Sequence, residues 1–144
     1  MPEIRTYRLI EAPPRVVWDR FMDKAGWRSF SDFVDLSPGT PIAAGRSFWF
    51  GLRLLGLPPV PLKVDVIRCD PEEVRWVGGL PALPLFRGEH WFRFVEAGAG
   101  KTRFVNNEDF SGPMAGAFML TLGPATRAAY HRFNDGLGRA VRGG

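Results

Sequence analysis

Between residues 33 and 110 apolar side chains recur at alternate positions, and the tract breaks at Ser37-Pro38-Gly39, Gly56-Leu57-Pro58-Pro59, Asp70-Pro71, Gly78-Gly79-Leu80-Pro81 and Gly98-Ala99-Gly100. Period two is the spacing of a strand with one buried face, and clusters of glycine and proline turn the backbone. The intervals between breaks are too short for parallel crossovers, so the strands are expected to pair antiparallel, mostly through hairpins. The flanking segments then decide how that sheet is covered.

Residues 3–12 read as a first strand, stopped by Ala12-Pro13-Pro14, where proline suits the first turn of a helix. Over residues 15–23, Val17, Trp18, Phe21 and Met22 fall three and four apart and make one apolar helical face. A short second helix is expected over residues 25–30. Helical spacing returns over residues 112–141, where Leu122, Ala129, Phe133, Leu137 and Val141 lie near one face; Gly123-Pro124 predicts a kink or a fresh start. The fold class that follows is α+β: a curved antiparallel sheet wrapped around a long C-terminal helix, with two short helices after the first strand. With 144 residues and no repeat, linker or low-complexity tract, the chain is expected to be a single domain with its own core.

The alternation also sorts the side chains by face. In the strand expected over residues 85–96, Phe86, Gly88, His90, Phe92 and Phe94 share the apolar face; in that over 101–110, Thr102, Phe104, Asn106, Glu108 and Phe110 do. The same phasing groups Phe48, Phe50 and Leu52, then Leu62, Val64 and Val66, then Val74 and Trp76. Tyr130 and Phe133 are expected opposite them on the last helix, with Phe118 and Met119 capping one end. Twelve Phe and five Trp beside two Tyr are much flat apolar surface, which either a packed core or a pocket lining absorbs. The candidate ligand-binding residues are therefore Phe48, Phe50, Trp76, Phe86, His90, Phe92, Phe104, Asn106, Glu108, Tyr130 and Phe133. Of these, His90, Asn106 and Glu108 are polar groups among phenylalanines, and each must meet a partner, a water or a ligand. Either His90 and Glu108 satisfy one another, or Glu108 lies solvated near a sheet edge, or the three are polar anchors in an apolar wall.

Several chemistries find no support. The net charge of +4 comes from scattered arginines, including Arg127, Arg132, Arg139 and Arg142 on the last helix, and makes no dense basic stripe, so no nucleic acid is expected as a partner. Cys69, the only cysteine, precludes an intramolecular disulfide and fits a reducing, cytoplasmic setting. It has no evident cationic activator and is expected to be inert. The first residues do not read as a signal peptide, and the uncharged stretch 110–126 is short and broken by Pro113, Gly116, Gly123 and Pro124, so no stable membrane insertion is expected. Gly98-Ala99-Gly100-Lys101-Thr102 ends like a phosphate loop, but Val95 stands where that loop needs a glycine and strand pattern follows it, so a hairpin turn is expected. Two separated histidines announce no metal site, and Ser29, Ser31 and Ser111 lack a nucleophile-elbow setting. Asp70-Pro71-Glu72-Glu73 reads as a turn followed by solvated charge. No metal, no cofactor and no assigned catalytic residue follow.

Ile10-Glu11-Ala12-Pro13-Pro14-Arg15-Val16-Val17-Trp18 resembles the opening of the SRPBCC superfamily, also called START-like or helix-grip, particularly its polyketide cyclase/dehydrase-type members. Leu85-Phe86-Arg87-Gly88-Glu89-His90-Trp91-Phe92, and Thr102-Arg103-Phe104-Val105 leading to Glu108-Asp109-Phe110-Ser111-Gly112, look like their paired late strands. Phe133-Asn134 with Leu137 resembles their closing helix. The resemblance implies a cavity between sheet and last helix that holds a lipid-like or polyketide-like molecule. Relatives often carry a histidine near Asn106, where this chain has a neutral amide. Binding or carriage of a small apolar ligand is the expected function. The alternatives are a cyclase or dehydratase in which His90 or Glu108 moves protons, and a co-chaperone-like interaction module with an exposed patch of Trp27, Phe30 and Phe33. A homodimer is compatible with each.

Overall fold

The computed structural model describes residues 2–79 and 85–143. Its elements are β1 (Glu3–Ile10), α1 (Pro14–Met22), a 3-10 helix (Lys24–Ser29), β2 (Phe33–Asp35), β3 (Ser47–Leu52), β4 (Val60–Cys69), β5 (Glu73–Gly79), β6 (Arg87–Glu96), β7 (Thr102–Ser111), α2 (Ala115–Thr121) and α3 (Gly123–Gly143). The strands form one antiparallel sheet in the order β1-β7-β6-β5-β4-β3-β2. Neighbours from β2 to β7 are consecutive in sequence, whereas β1 crosses the chain to join β7, from Glu3 opposite Asp109 to Ile10 opposite Thr102. The sheet is a curled half-barrel around α3, a helix-grip fold.

Strict alternation makes this possible. Along β7 Thr102, Phe104, Asn106, Glu108 and Phe110 are buried and the residues between them are not; in β6 the buried set is Gly88, His90, Phe92 and Phe94. The β4–β5 register shifts between Val66 and Arg68, which leaves Ile67 as an extra, exposed residue. Such a bulge bends the strand and increases its twist, which helps the sheet curl. On the helical side, Ala129, Tyr130, Phe133, Asn134 and Leu137 bury one stripe against the sheet. Phe133 meets Phe21 of α1, Trp27 of the 3-10 helix and Phe33 of β2 at ring centroid distances of 6.1, 5.1 and 5.6 Å.

Gly123-Pro124 produces a fresh start, since α2 closes at Leu122 and α3 begins at once, with Pro124 in its first turn where no amide donor is needed. Strand β1 stops at Ile10, earlier than residue 12, because Ala12 turns back: its amide donates to Ile10 O and its carbonyl accepts from Thr102 Oγ1. Leu85 and Phe86 precede β6, and Leu80 and Pro81 of the expected turn lie outside the described residues.

Two expectations are overturned. Glu73 is buried, roofed by Arg68, Arg75 and Arg93 at 3.2, 3.1 and 2.8 Å. Burial pushes its carboxyl up, but the hydrogen bonds from Arg75 and Arg93 outweigh that and hold it below the usual range. The turn itself stands, closed by Asp70 and Glu73 exchanging backbone hydrogen bonds. Trp27 and Phe33 are likewise inside the core, with Trp27 Nε1 donating to Phe21 O at 2.8 Å, so they form no exposed patch with Phe30.

The register defines two ends of the grip. The β3–β4 connection, the end of β5, the start of β6, the exit of β7 and α2 share one end; α1 and the last turns of α3 share the other.

Candidate functional site

Across the middle of the grip, side chains from β1, β6, β7 and α3 form one hydrogen-bonded chain. Thr6 Oγ1 donates to the backbone carbonyl of Asn106 at 2.6 Å, so it accepts from Asn134 Nδ2 at 2.9 Å. Asn134 Oδ1 then accepts from Asn106 Nδ2 at 2.9 Å, which leaves Asn106 Oδ1 to accept from His90 Nε2, 2.6 Å away. A single backbone carbonyl thus fixes every donor direction and sets the tautomer of His90: Nε2 carries the proton and Nδ1 presents a lone pair.

That lone pair faces Glu108 Oε1 at 3.5 Å. Glu108 stands directly across from His90 in the β6–β7 register, and Oε1 also accepts from the Tyr130 hydroxyl of α3. The carboxyl group fits because residue 88 is glycine, where a Cβ would run into the Glu108 carboxyl oxygen. The His90 ring is stacked between Phe92 and Tyr130, 4.2 and 4.9 Å between centroids, with Trp76 edge-on at 5.6 Å.

The electrostatics follow from this apolar packing. Burial pushes the His90 imidazolium down to about 4, a shift the Asn106 hydrogen bond only partly opposes. Burial pushes the Glu108 carboxyl up to about 7, against the lowering influence of the Tyr130 hydrogen bond. Tyr130 is raised well above its ordinary value by burial and by the neighbouring carboxylate. Near neutrality the site therefore holds a neutral imidazole, a neutral phenol and a carboxyl group poised between its two forms, an arrangement suited to exchanging one proton with a bound molecule. Among the described residues no group of three His, Cys, Asp or Glu side chains is arranged to hold a metal ion.

His90, Asn106 and Glu108, expected from the alternation, and Tyr130, expected opposite them on the last helix, meet here. His90 and Glu108 each have a nearer partner than one another, and Glu108 sits on β7 between β1 and β6, away from the sheet edge. Phe92, Phe104 and Phe133 pack toward α1, while Phe48, Phe50 and Trp76 form a second ring cluster continuous with Trp27. Phe86 is apart from both, stacked on Phe110 at 5.5 Å and against Phe118 of α2 at 4.7 Å. Apart from Phe86, the aromatic candidate lining residues are thus in ring-to-ring contact with one another or with the rings of Trp27 and Phe21. Two outer hollows, about 220 Å³ beside Arg8 and Gly138 and about 420 Å³ beside Met119 and His131, are lined by none of them. Thr6 and Asn134 were not among the expected residues. The available signals were Asn134 four positions after Tyr130 on one helical face, and Thr6 in phase with the buried Ile4.

A family model described as polyketide cyclase / dehydrase and lipid transport matches residues 1–142. No curated protein matches the sequence significantly. Similar solved structures include the Thermus thermophilus protein TTHA0849, 18% identical, covering 99% of this chain and 98% of that one with a TM-score of 0.74. The Zhui aromatase/cyclase from a Streptomyces species is 15% identical, covers 98% and 93%, and has a TM-score of 0.69. Norcoclaurine synthase from Thalictrum flavum is 14% identical, covers 98% and 86%, and has a TM-score of 0.69. At such identities the likeness is one of fold.

Proposed function

The chain belongs to the polyketide cyclase / dehydrase and lipid transport family, and within it we propose that it binds a small apolar ligand between sheet and α3, with Glu108 and Tyr130 holding the ligand's polar end. One observation carries this reading: a buried carboxyl group beside the rings of His90 and Tyr130 with no Arg or Lys partner among the described residues. Packing alone favours an apolar side chain at such a position, and an unpaired buried acid is a mark of sites that bind or react. Among the described residues both polar contacts to the carboxyl fall on Oε1, so Oε2, which packs against Gly88, keeps its hydrogen-bonding capacity for a bound molecule. Phe86 and Phe118, both half-buried, stand between this level and the α2 end; a ligand is admitted when they part.

Native mass spectrometry and solvent extraction of freshly purified protein are expected to release an apolar molecule carrying a hydroxyl, carbonyl or carboxyl group. Affinity for an environment-sensitive apolar probe bearing a carbonyl is expected to fall about ten-fold in Glu108→Gln, the loss typical of one charge-assisted hydrogen bond. An empty extract, together with equal probe affinity in both proteins, would remove the proposal.

The fixed tautomer of His90 favours a second reading, a cyclase or dehydratase. With Nδ1 unprotonated and facing Glu108, the pair can accept a proton from a bound β-polyketone and return it elsewhere. Turnover of such a ketone with a pH limb near 7 that disappears in Glu108→Gln is the expected signature; absence of turnover over the whole pH range leaves binding alone.

A further inference from the structure

Six exposed aliphatic side chains share the α2 end, while Leu9, Val16, Leu36, Ile67 and Val95 are spread over the rest of the surface. Leu57 and Val60 stand on the β3–β4 hairpin, 59% and 42% exposed, with Leu55 at its tip, 69% exposed. Leu120 on α2 is 87% exposed, and Leu85 and Met114 beside the exit of β7 are also exposed. Single exposed leucines need no explanation, but a cluster on one rim does.

Two independent observations bear on it. The first is strain: Leu55 has φ 56° and Gly56 φ 70° in a turn closed by Leu57 N donating to Leu54 O at 3.0 Å. Left-handed backbone favours glycine or asparagine, and a leucine there is disfavoured while gaining no burial in return. Strain kept without a structural return is typical of functional positions. The second is charge. Residues 36–64 and 110–134 contain no Asp or Glu, whereas Arg53, Lys63 and Arg127 are exposed in those same segments; Glu3, Glu89 and Asp109, which the register puts at this end, are paired with Arg5, Arg75 and Arg87.

We propose that this end docks on an anionic lipid bilayer, the leucines entering the interface while Arg53, Lys63 and Arg127 meet headgroup phosphates. The leucines project from a hairpin tip and a helix rather than lining a groove, which suits a fluid surface better than a folded partner. Docking is peripheral, since no described helix is long and apolar enough to cross a membrane. The inference deepens the ligand-binding reading by giving an apolar ligand a source, but it stands on surface residues alone.

The full chain is expected to co-sediment with vesicles of equimolar phosphatidylcholine and phosphatidylglycerol, and at least ten-fold more weakly with phosphatidylcholine alone or in high salt. Leu55→Gly combined with Leu120→Ser is expected to weaken sedimentation about ten-fold, while Leu55→Gly alone also raises the melting temperature by relieving the turn. Absence of vesicle binding, or equal binding by the double variant, would overturn the proposal. So would a wild-type dimer that the double variant abolishes, since a second copy would then cover the patch. Vesicle binding by protein that yields no extractable ligand, and whose probe affinity is unchanged in Glu108→Gln, would support docking and remove the ligand reading; an extractable ligand without vesicle binding would do the reverse.

Discussion

His90 and Glu108 exchange protonation roles on folding. Unfolded, with ordinary values of 6.5 and 4.5, they are a cation and an anion between those pH values; folded, with values near 4 and 7, both are neutral. Each state therefore carries one proton across that window, and the pair contributes almost no slope to stability there. Removing either group unmasks the other. In Glu108→Gln the depressed His90 acts alone: its contribution is full above about 6.5 and lost as pH falls toward about 4, with a slope on the order of 1 kcal/mol per pH unit. In His90→Gln the raised Glu108 acts alone, so stability present below about 4.5 is lost as pH rises through about 7. Chemical denaturation of both variants across this range checks both signs; parallel profiles for wild type and variants would show that the two groups do not titrate as a pair.

At the level of elements, glycine placement records how closely α3 is held. A Cβ on Gly136 would meet Phe30 O at 2.5 Å and the Phe30 Cβ at 2.7 Å, so α3 touches the segment after the 3-10 helix with no room for a methyl group. Gly116 in α2 has nothing within 4 Å of the same atom. Glycine to alanine is thus expected to act in opposite directions. Gly136→Ala overpacks the contact and costs roughly 1–3 kcal/mol, whereas Gly116→Ala gains helix propensity and stabilises by up to about 1 kcal/mol. Thermal melts of the two variants check the contrast. The difference also bears on the proposed function, since α2 fully buries only Ala115 and is therefore weakly held at the end where a ligand is proposed to enter.

For the whole molecule, one aromatic interior joins α1, the 3-10 helix, the sheet and α3, and Phe133 stands at its centre. Phe133→Ala is expected to destabilise the protein by roughly 3–5 kcal/mol through lost burial and a residual cavity. If the interior is the ligand region, the same change enlarges it, and the variant should bind a bulkier apolar probe than wild type. Calorimetry and probe titration separate the two effects. A variant as stable as wild type would mean that the surrounding rings collapse into the space.

Much of this was legible beforehand because period two, helical spacing and turn residues are local signals. They gave the strand run, the break at Gly123, the inner faces of β6 and β7, and the presence of His90, Asn106, Glu108 and Tyr130 on facing elements. The sequence by itself determined which side chains point inward, since the pleat and the helical repeat leave no choice. Only the tertiary structure decided which of those side chains meet. Thr6 and Asn134 complete the polar chain from positions 128 residues apart, and that contact exists only because β1 pairs with β7 and α3 lies across both. The arginine roof over Glu73 likewise depends on β4 and β6 flanking β5, which residue spacing does not encode. Proton positions were the last to be decided, because a buried group's ionisation depends on the neighbours that replace its water.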